Sequence, residues 1–217
     1  MKAKSDKSYY RYAREDVFAL VPTGVRRVLE IGCGAGRFRT NFPADVEYWG
    51  VEPVAEAARE AVGLTRVLVG TLDEVAASLP DGYFDLVVCN DVLEHMADPQ
   101  KALATIRAKM AADGRLVGSL PNVRSVWVLL DLLFRRDWRY RESGVLDSTH
   151  LRFFTFKSAR RLLTESGFEI EVFRGRAVGD IWWAKALLVL LAPVICLVGW
   201  DVCRTQMLFR ARKGLVG

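Results

Sequence analysis

Short apolar runs alternate with longer segments of helical periodicity from Arg27 to the end of the chain. Runs of four to six apolar residues are typical of buried strands, whereas apolar positions that recur every three or four residues are typical of helices. Repeated strand and helix units require a parallel sheet that is covered on both faces. The pattern therefore predicts an α/β, doubly wound fold. We place its strands at residues 27–31, 48–52, 66–69, 84–89, 115–119, 168–173 and 206–210.

The remaining periodic segments predict five helices. They are placed at residues 10–20, 54–62, 72–77, 99–111 and 157–166. The helix at Pro99 begins directly after Asp98, a residue type that caps helix N-termini. With 217 residues, of which 51% are apolar, the chain is long enough to bury one sizeable core. We therefore expect a single domain over residues 1–217.

Two apolar segments do not fit the simple alternation of strands and helices. Residues 123–140 place a leucine-rich stretch ahead of four arginines, so the segment is amphipathic with a cationic end. We expect the insertion at about 123–150 either to cover the site as a lid or to contact a membrane. Residues 181–200 are apolar almost throughout but contain Lys185 and Pro193. Because strands of one sheet flank this segment, we expect a buried or surface-lying helix there, and not a transmembrane one.

The charge and cysteine content narrow the function classes. The 31 Lys and Arg against 26 Asp and Glu leave a net charge of +5, which is compatible with an anionic substrate or with peripheral membrane contact. No concentrated basic patch favours nucleic acid as a partner. The four cysteines lack the spacing of a disulfide scaffold or a zinc site, and the N-terminus shows no apolar signal segment. We expect a cytoplasmic protein, either free or peripheral at the inner face of the membrane.

The sequence VLEIGCGAG at residues 28–36 places three glycines at every second position directly after a predicted strand. These glycines are Gly32, Gly34 and Gly36. Glycines allow the backbone to turn sharply and to approach a ligand closely. The chain leaves this glycine-rich turn through residues 37–39, a predicted helix start whose free amides favour a polar ligand. The next predicted strand ends at Glu52, where a carboxylate can accept hydrogen bonds from both ribose hydroxyls. Together these features predict a nucleoside-binding site.

Four segments resemble the class I S-adenosylmethionine-dependent methyltransferases. They are VLEIGCGAGRF, YWGVEP, FDLVVCNDVLEHMADP and GRLVGSLPN. The resemblance covers about residues 27–168 well. It implies a Rossmann-like, seven-stranded sheet, mostly parallel with the last strand antiparallel, that binds S-adenosylmethionine. The GxGxG spacing differs from the GxGxxG of dinucleotide-binding folds, which disfavours an NAD-dependent oxidoreductase.

The same resemblance implies where the cofactor binds. The three glycines would lie against its amino acid end, Glu52 would hold the ribose, and Asn90 would offer backbone contact. The full set of implied positions is Glu30, Gly32, Gly34, Gly36, Glu52, Pro53, Thr71, Leu72 and Asn90. Many family members carry an acidic residue directly after the glycine that follows the third strand. In this chain Gly70 is followed by Thr71 and Leu72, and Asp73 is displaced.

Three further segments narrow the resemblance to one branch. LEHMADP, PN and HLRFFTFKSARRLLTESGF are similar to the branch that contains ubiquinone-type O-methyltransferases and bacterial methyltransferases of polysaccharide and natural-product pathways. The branch implies an oxygen acceptor, such as a hydroxyl of a sugar, polysaccharide or small metabolite. The alternative is a noncatalytic, membrane-peripheral binding protein that keeps the methyltransferase fold.

Both histidines of the chain lie inside these motifs, and three interpretations stay open for them. His95 or His150, next to Glu94, is a candidate general base that removes a hydroxyl proton. Asp91, Glu94, His95 and His150 are equally a candidate site for a divalent ion such as Mg²⁺. That set resembles the metal site of small-RNA 2′-O-methyltransferases, although Asp91 stands where they carry glutamate. In the third interpretation Glu94 pairs locally and His95 packs at a helix start.

Overall fold

In the computed structural model, which describes residues 13–177 and 199–214, seven strands form one sheet. The strands are β1 (Arg27–Ile31), β2 (Glu47–Glu52), β3 (Arg66–Val69), β4 (Phe84–Asn90), β5 (Met110–Pro121), β6 (Phe168–Ala177) and β7 (Arg204–Lys213). Their order in the sheet is β3-β2-β1-β4-β5-β7-β6. Strand β7 is antiparallel to both of its neighbours, and the other pairs are parallel. The predicted Rossmann-like sheet with an antiparallel last strand is confirmed.

Most of the helices are shorter than the periodicity predicts, whereas the last one keeps its predicted length of ten residues. They are α1 (Glu15–Phe18), α2 (Ala55–Glu60), α3 (Leu72–Val75), α4 (Pro99–Lys109), α5 (Val126–Leu130) and α6 (Phe156–Glu165). Side-chain caps at Thr71, Asp98 and Thr155 fix the first residues of α3, α4 and α6.

The helix expected after the glycine loop is only a 3-10 turn, Phe38–Asn41. Pro43 follows closely, and the residue before a proline is disfavoured in a helix. The guanidinium of Arg39, which is 8% exposed, holds this turn. It donates to the carbonyl oxygens of Phe42 at 2.7 Å and Gly63 at 2.9 Å.

Successive residues of the central strands face opposite layers of the core, as the strand period of two requires. On one face Leu29 of β1 packs in a cluster with Leu103 and Ile106 of α4. On the other face Val28 packs in a cluster with Phe38 and other apolar side chains. The sheet is therefore covered on both faces, as in a doubly wound fold.

The chain order places a crevice between β1 and β4. From β1 the chain moves outward to β2 and β3, and it then crosses back to form β4 on the other side of β1. The loops after β1 and β4 therefore diverge at the carboxyl ends of these strands. Such a switch point is where open α/β sheets bind their ligands.

Residues 123–150 are the segment that the sequence predicts as an insertion. It begins with α5, which continues into a π-helical turn at Asp131–Arg135. The predicted helix at 181–200 lies almost wholly outside the described residues, apart from Trp200. Within 13–177 and 199–214, no helix is both long and apolar enough to cross a membrane.

We expect Gly118→Ala to destabilise the protein by about 3 kcal/mol or more, because overpacking inside a sheet forces backbone shifts. A Cβ at this position would collide with the Cys89 carbonyl oxygen and lie 2.8 Å from the Phe209 ring. Gly82→Ala is the control. It meets nothing within 4 Å, and its positive φ of 63° costs about 1 kcal/mol. Urea unfolding measures both, and equal losses would contradict the packing argument.

Candidate functional site

A cleft of about 1480 Å³ opens at the carboxyl ends of β1, β2 and β4. Eight of the nine positions implied to bind the cofactor line it. They are Glu30, Gly32, Gly34, Glu52, Pro53, Thr71, Leu72 and Asn90. The structure thus brings these residues together at the crevice, and their binding of a cofactor stays a prediction.

The ninth position, Gly36, lies outside the cleft lining. Its φ of 76° favours glycine, and a Cβ there would meet the Leu64 side chain at 2.6 Å and the Val62 carbonyl oxygen at 3.0 Å. Gly36 therefore serves the packing of the loop against the chain before β3. This differs from the expectation that it lies against the amino acid end of a cofactor.

The Glu52 carboxylate joins the glycine loop to the end of β2. Its Oε2 accepts a hydrogen bond from the Gly34 amide at 2.8 Å, and its Oε1 accepts one from the Val54 amide at 2.9 Å. Each carboxylate oxygen offers about two acceptor positions. Glu52 can therefore hold the loop and still accept from two ligand hydroxyls.

A second acidic side chain, Glu30, is buried at the base of the cleft. The Tyr48 hydroxyl donates to its Oε2 at 2.8 Å. Burial raises the pKa of Glu30 from 4.5 to about 8, and the nearby negative charge of Glu52 adds to this shift. Near neutral pH Glu30 is therefore largely protonated, and Glu52 supplies the negative charge at this end of the cleft.

The side chain of Asn90 is unpaired at the end of β4. Both its amide nitrogen and its amide oxygen are buried and have no hydrogen-bond partner within the described part of the chain. Buried amide groups are normally satisfied, so a free donor and acceptor in a cleft indicate a bound ligand or water. The sequence resemblance implied only backbone contact at this position.

Asp91 does not join the predicted metal site. It adopts a left-handed backbone with φ of 53°, and its carboxylate pairs with Arg14. It also accepts from Ser119 Oγ at 2.8 Å and from Gln206 Nε2 at 2.9 Å. Because these donors occupy the carboxylate, the four-residue metal set predicted from the sequence is reduced to three.

The other three members of that set lie together. One potential ligand atom from each of Glu94, His95 and His150 falls within 4.8 Å of the others. Glu94 is fully buried, and neither of its oxygens has a hydrogen-bond partner among residues 13–177 and 199–214. Its Oε1 lies 4.0 Å from His150 Nε2. Two unsatisfied carboxylate oxygens beside two imidazoles form a suitable donor set for a divalent cation.

Burial disfavours the charged forms of two members of this cluster, Glu94 and His150. Burial, together with the negative charge of Asp91, raises the pKa of Glu94 well above its usual value. Burial is also the main cause that lowers the pKa of His150, and the neighbouring His95 adds to it. A neutral acid beside a neutral imidazole forms no ion pair, and a bound cation would displace the carboxyl proton.

The insertion orients both imidazole rings. His150 Nδ1 lies 3.1 Å from the Val145 carbonyl oxygen, and His95 Nδ1 lies 3.2 Å from that of Thr149. The amides of Leu151 and Arg152 donate to the Glu94 carbonyl oxygen, which clamps the end of the insertion to the turn after β4. His95 lines the cleft, whereas His150 is buried and is not one of the residues that line it.

Sequence patterns missed several residues of the cleft wall. Gln206 and Arg176 line the cleft from β7 and β6. No local motif marks either one, because the antiparallel register of the last strands brings them to the site. Arg14 also lines the cleft, and its guanidinium pairs with Asp91 and Asp16.

Comparisons with known proteins agree with this geometry. A family model described as a methyltransferase domain matches residues 7–171. The mitochondrial ubiquinone biosynthesis O-methyltransferase of Schizosaccharomyces pombe is 33% identical over 42% of this chain and 36% of that protein. An uncharacterized methyltransferase of Mycobacterium bovis is 30% identical over 54% of this chain and 49% of that protein. The matched regions thus span about half or less of these curated relatives.

Solved structures share the fold. A SAM-dependent methyltransferase from Archaeoglobus fulgidus superposes with a TM-score of 0.65 at 23% identity, over 93% of this chain and 92% of that one. A SAM-dependent methyltransferase from Thermotoga maritima, described as a possible histamine N-methyltransferase, has a TM-score of 0.64 at 21% identity, over 94% and 89% of the two chains. At these identities the likeness supports the architecture.

We expect Glu30→Gln to flatten the pH dependence of stability. Because the folded-state pKa is raised to about 8, the folded protein retains a proton that the unfolded chain loses near 4.5. The free energy of unfolding of the wild type should therefore fall as pH rises from about 4.5 to about 8, by roughly 1.4 kcal/mol for each pH unit in that range. Glutamine remains neutral and still accepts from Tyr48.

Urea unfolding at a series of pH values measures this difference. Glu60→Gln, at an exposed position on α2, is the control and should follow the wild type. Parallel curves for Glu30→Gln and the wild type would show that Glu30 is ionised in the folded protein.

Proposed function

Because the chain belongs to the family of methyltransferase domains, we propose that it transfers a methyl group from S-adenosylmethionine to a hydroxyl oxygen. The acceptor class is a sugar, a polysaccharide or a small metabolite. One observation carries the proposal. The glycine loop and Glu52 share a single cleft with Asn90 and His95, so a nucleoside and a reacting hydroxyl can bind side by side.

The cleft residues fit the cofactor. Glu52 has acceptor capacity left for both ribose hydroxyls, and the unpaired amide of Asn90 offers a donor and an acceptor nearby. At Gly32 a Cβ would meet Val92 Cγ2 at 2.8 Å, so the loop lies close to the turn after β4 and leaves the cleft open. The sulfonium of S-adenosylmethionine is already an activated methyl donor, so alignment of the acceptor oxygen supplies most of the catalysis.

Adenine recognition departs from the common family pattern. Asp73 lines the cleft, but its carboxylate pairs with Lys101 Nζ at 2.7 Å. Thr71 is also occupied, because it forms a capping box with Glu74. We therefore assign the adenine end of the cleft to backbone and apolar contacts of Thr71 and Leu72, and not to a carboxylate.

The cluster of Glu94, His95 and His150 is where the acceptor hydroxyl would be activated. The unsatisfied oxygens of Glu94 favour a divalent cation over a lone general base. Such a cation, for example Mg²⁺, would polarise the hydroxyl. Without a cation, His95 is the group that faces the cleft and can accept the hydroxyl proton.

An oxygen acceptor draws further support from the ubiquinone biosynthesis O-methyltransferases of Schizosaccharomyces pombe and Pectobacterium atrosepticum. Each is 33% identical to this chain over a little less than half of its length. The noncatalytic alternative makes a different prediction, since a protein that only keeps the fold would have lost cofactor affinity.

We expect Glu52→Gln to weaken binding of S-adenosylhomocysteine by about 10- to 100-fold, as loss of hydrogen bonds to a charged group does. Glutamine keeps the shape, and its single carbonyl oxygen can still accept from the Gly34 amide, so the tie to the loop is kept and only the bond from the Val54 amide is lost. Isothermal titration calorimetry measures the affinity of each variant. The matched control is Glu56→Gln, whose carboxylate is largely exposed on α2, and it should bind as the wild type does.

Absence of binding by the wild type would sink the methyltransferase proposal and favour the noncatalytic alternative. Equal affinities for wild type and Glu52→Gln would remove the role assigned to the carboxylate, while leaving the cofactor in place.

We expect Glu94→Gln and His150→Ala each to weaken binding of Mn²⁺, used as a probe for Mg²⁺, by about ten-fold or more. Electron paramagnetic resonance titration measures the bound fraction without requiring an acceptor. Glu142→Gln, an exposed carboxylate on the same insertion, is the control and should leave the affinity unchanged.

Absence of Mn²⁺ binding by the wild type would leave the general-base interpretation. In that case His95→Ala should lower turnover while a chelator has no effect. Normal turnover in both His95→Ala and His150→Ala would exclude both catalytic interpretations.

A further inference from the structure

An exposed patch that is both apolar and cationic lies on the insertion at residues 132–141. This stretch contains Leu132, Leu133, Phe134, Trp138 and Tyr140 together with four arginines and one aspartate. Phe134 is 78% exposed, Leu133 is 71% exposed and Tyr140 is 52% exposed. Large apolar side chains that cluster at this exposure mark an interaction site more often than a bare surface.

The fold holds this patch outward. Val128 on the preceding helix is buried, and Leu129 packs against Val202 and Cys203. From Leu132 to Arg135 the side chains of the same helical stretch are exposed. Asp131 pairs with both Arg135 and Arg141, at 2.5 Å each, so the two ends of the patch are tied together. The exposed apolar side chains therefore belong to an ordered element, and not to a loose tail.

The charge of the patch identifies its partner. Arg136 and Arg139 are exposed, and no carboxylate pairs with either one within the described ranges. Leucine and phenylalanine beside arginine are typical of segments that lie in the interface of an anionic bilayer, and Trp138 and Tyr140 are residue types enriched at that depth. A protein partner with an apolar groove would explain the apolar side chains, but the free guanidinium groups favour phosphate headgroups.

The end of β6 and the start of β7 lie near the insertion that carries this patch. Ala177 of β6 pairs with Arg204 of β7, so β6 ends and β7 begins at one place in the sheet. That place lies beside the insertion, because Arg124 pairs with Asp201 at 3.0 Å and Asn122 donates to the Asp201 carbonyl oxygen at 2.8 Å. Trp200 is 65% exposed there. By sequence, residues 181–198 are mostly apolar.

We propose that residues 132–141 form a docking surface for an anionic membrane, with Leu133 and Phe134 inserted among the lipids and Arg136 and Arg139 bound to the phosphate headgroups. This surface does not depend on methyl transfer. The insertion that carries this surface also contains His150. The ring of Phe153 makes edge contacts with both Trp138 of the surface and His150, and so connects the two. Docking would therefore bring the acceptor side of the cleft close to the bilayer.

Co-sedimentation of the full chain with vesicles tests the proposal. We expect binding to vesicles that contain phosphatidylglycerol, weaker binding to pure phosphatidylcholine, and loss of binding at high salt. Leu133→Ser with Phe134→Ser, and separately Arg136→Gln with Arg139→Gln, should each weaken binding by about ten-fold or more. Circular dichroism and affinity for S-adenosylhomocysteine should be unchanged in both double variants, which shows that they fold.

The matched controls lie outside the patch. Val62→Ser with Val69→Ser removes apolar side chains that are 62% and 56% exposed, and Arg26→Gln with Arg59→Gln removes exposed arginines. Both controls should bind vesicles as the wild type does. No binding of the wild type at low salt, or equal binding by the patch variants, would overturn the proposal. So would a dimer in sedimentation velocity that the patch variants abolish, because a second copy would then occupy the surface.

Discussion

The Glu52 carboxylate holds together the two strand ends on which the cleft depends. One oxygen binds the amide of Gly34 in the glycine loop, and the other binds the amide of Val54 after β2. A loop with three left-handed glycines has many accessible conformations, so it needs such a tie to keep one shape. The group proposed to bind the ribose is thus the group that shapes the loop. For that reason an isosteric amide separates the two roles better than truncation to alanine.

Two other acidic side chains near the cleft differ from Glu52, because they are buried in a way that favours their neutral forms. Glu30 and Glu94 are buried, and burial raises the pKa of each. Glu30 is satisfied by the Tyr48 hydroxyl, whereas both oxygens of Glu94 lack a partner among the described residues. A neutral acid that is satisfied stabilises a core, but an unsatisfied one costs free energy that a ligand can recover. This difference supports a scaffold role for Glu30 and the proposed catalytic role of Glu94.

The sequence predicted the sheet well because its signals are local. Each buried strand is a short apolar run, and the glycine loop follows its strand directly, so all seven strands and eight of the nine implied cofactor positions could be placed. The hydrogen-bond partners of Asp91 could not be predicted from the sequence. Gln206 lies 115 residues away and reaches Asp91 only through the antiparallel register of β5 and β7. The motif therefore predicted a metal-binding role for Asp91 that the structure does not support, since spacing along the chain does not show which donors already surround a carboxylate.

The 3-10 turn after the glycine loop was missed for a related reason. Arg39 holds this turn by binding carbonyl oxygens, and one of them belongs to Gly63, which lies well beyond the turn in sequence.

The proposed division of the site into a cofactor side and an acceptor side follows the topology of the sheet. The glycine loop follows β1, Glu52 is the last residue of β2, and Thr71 lies in the loop after β3. The turn after β4 supplies His95, and the insertion supplies His150. Changes in the insertion can therefore alter the acceptor without disturbing the nucleoside end of the cleft.

An insertion that carries both a histidine of the candidate metal site and an exposed, arginine-rich apolar patch would couple two proposed functions in one element. If the patch rests on a bilayer, the ring positions set by Val145 and Thr149 depend on an element held at the membrane surface. Acceptor recognition would then depend on where the protein is bound as well as on what enters the cleft.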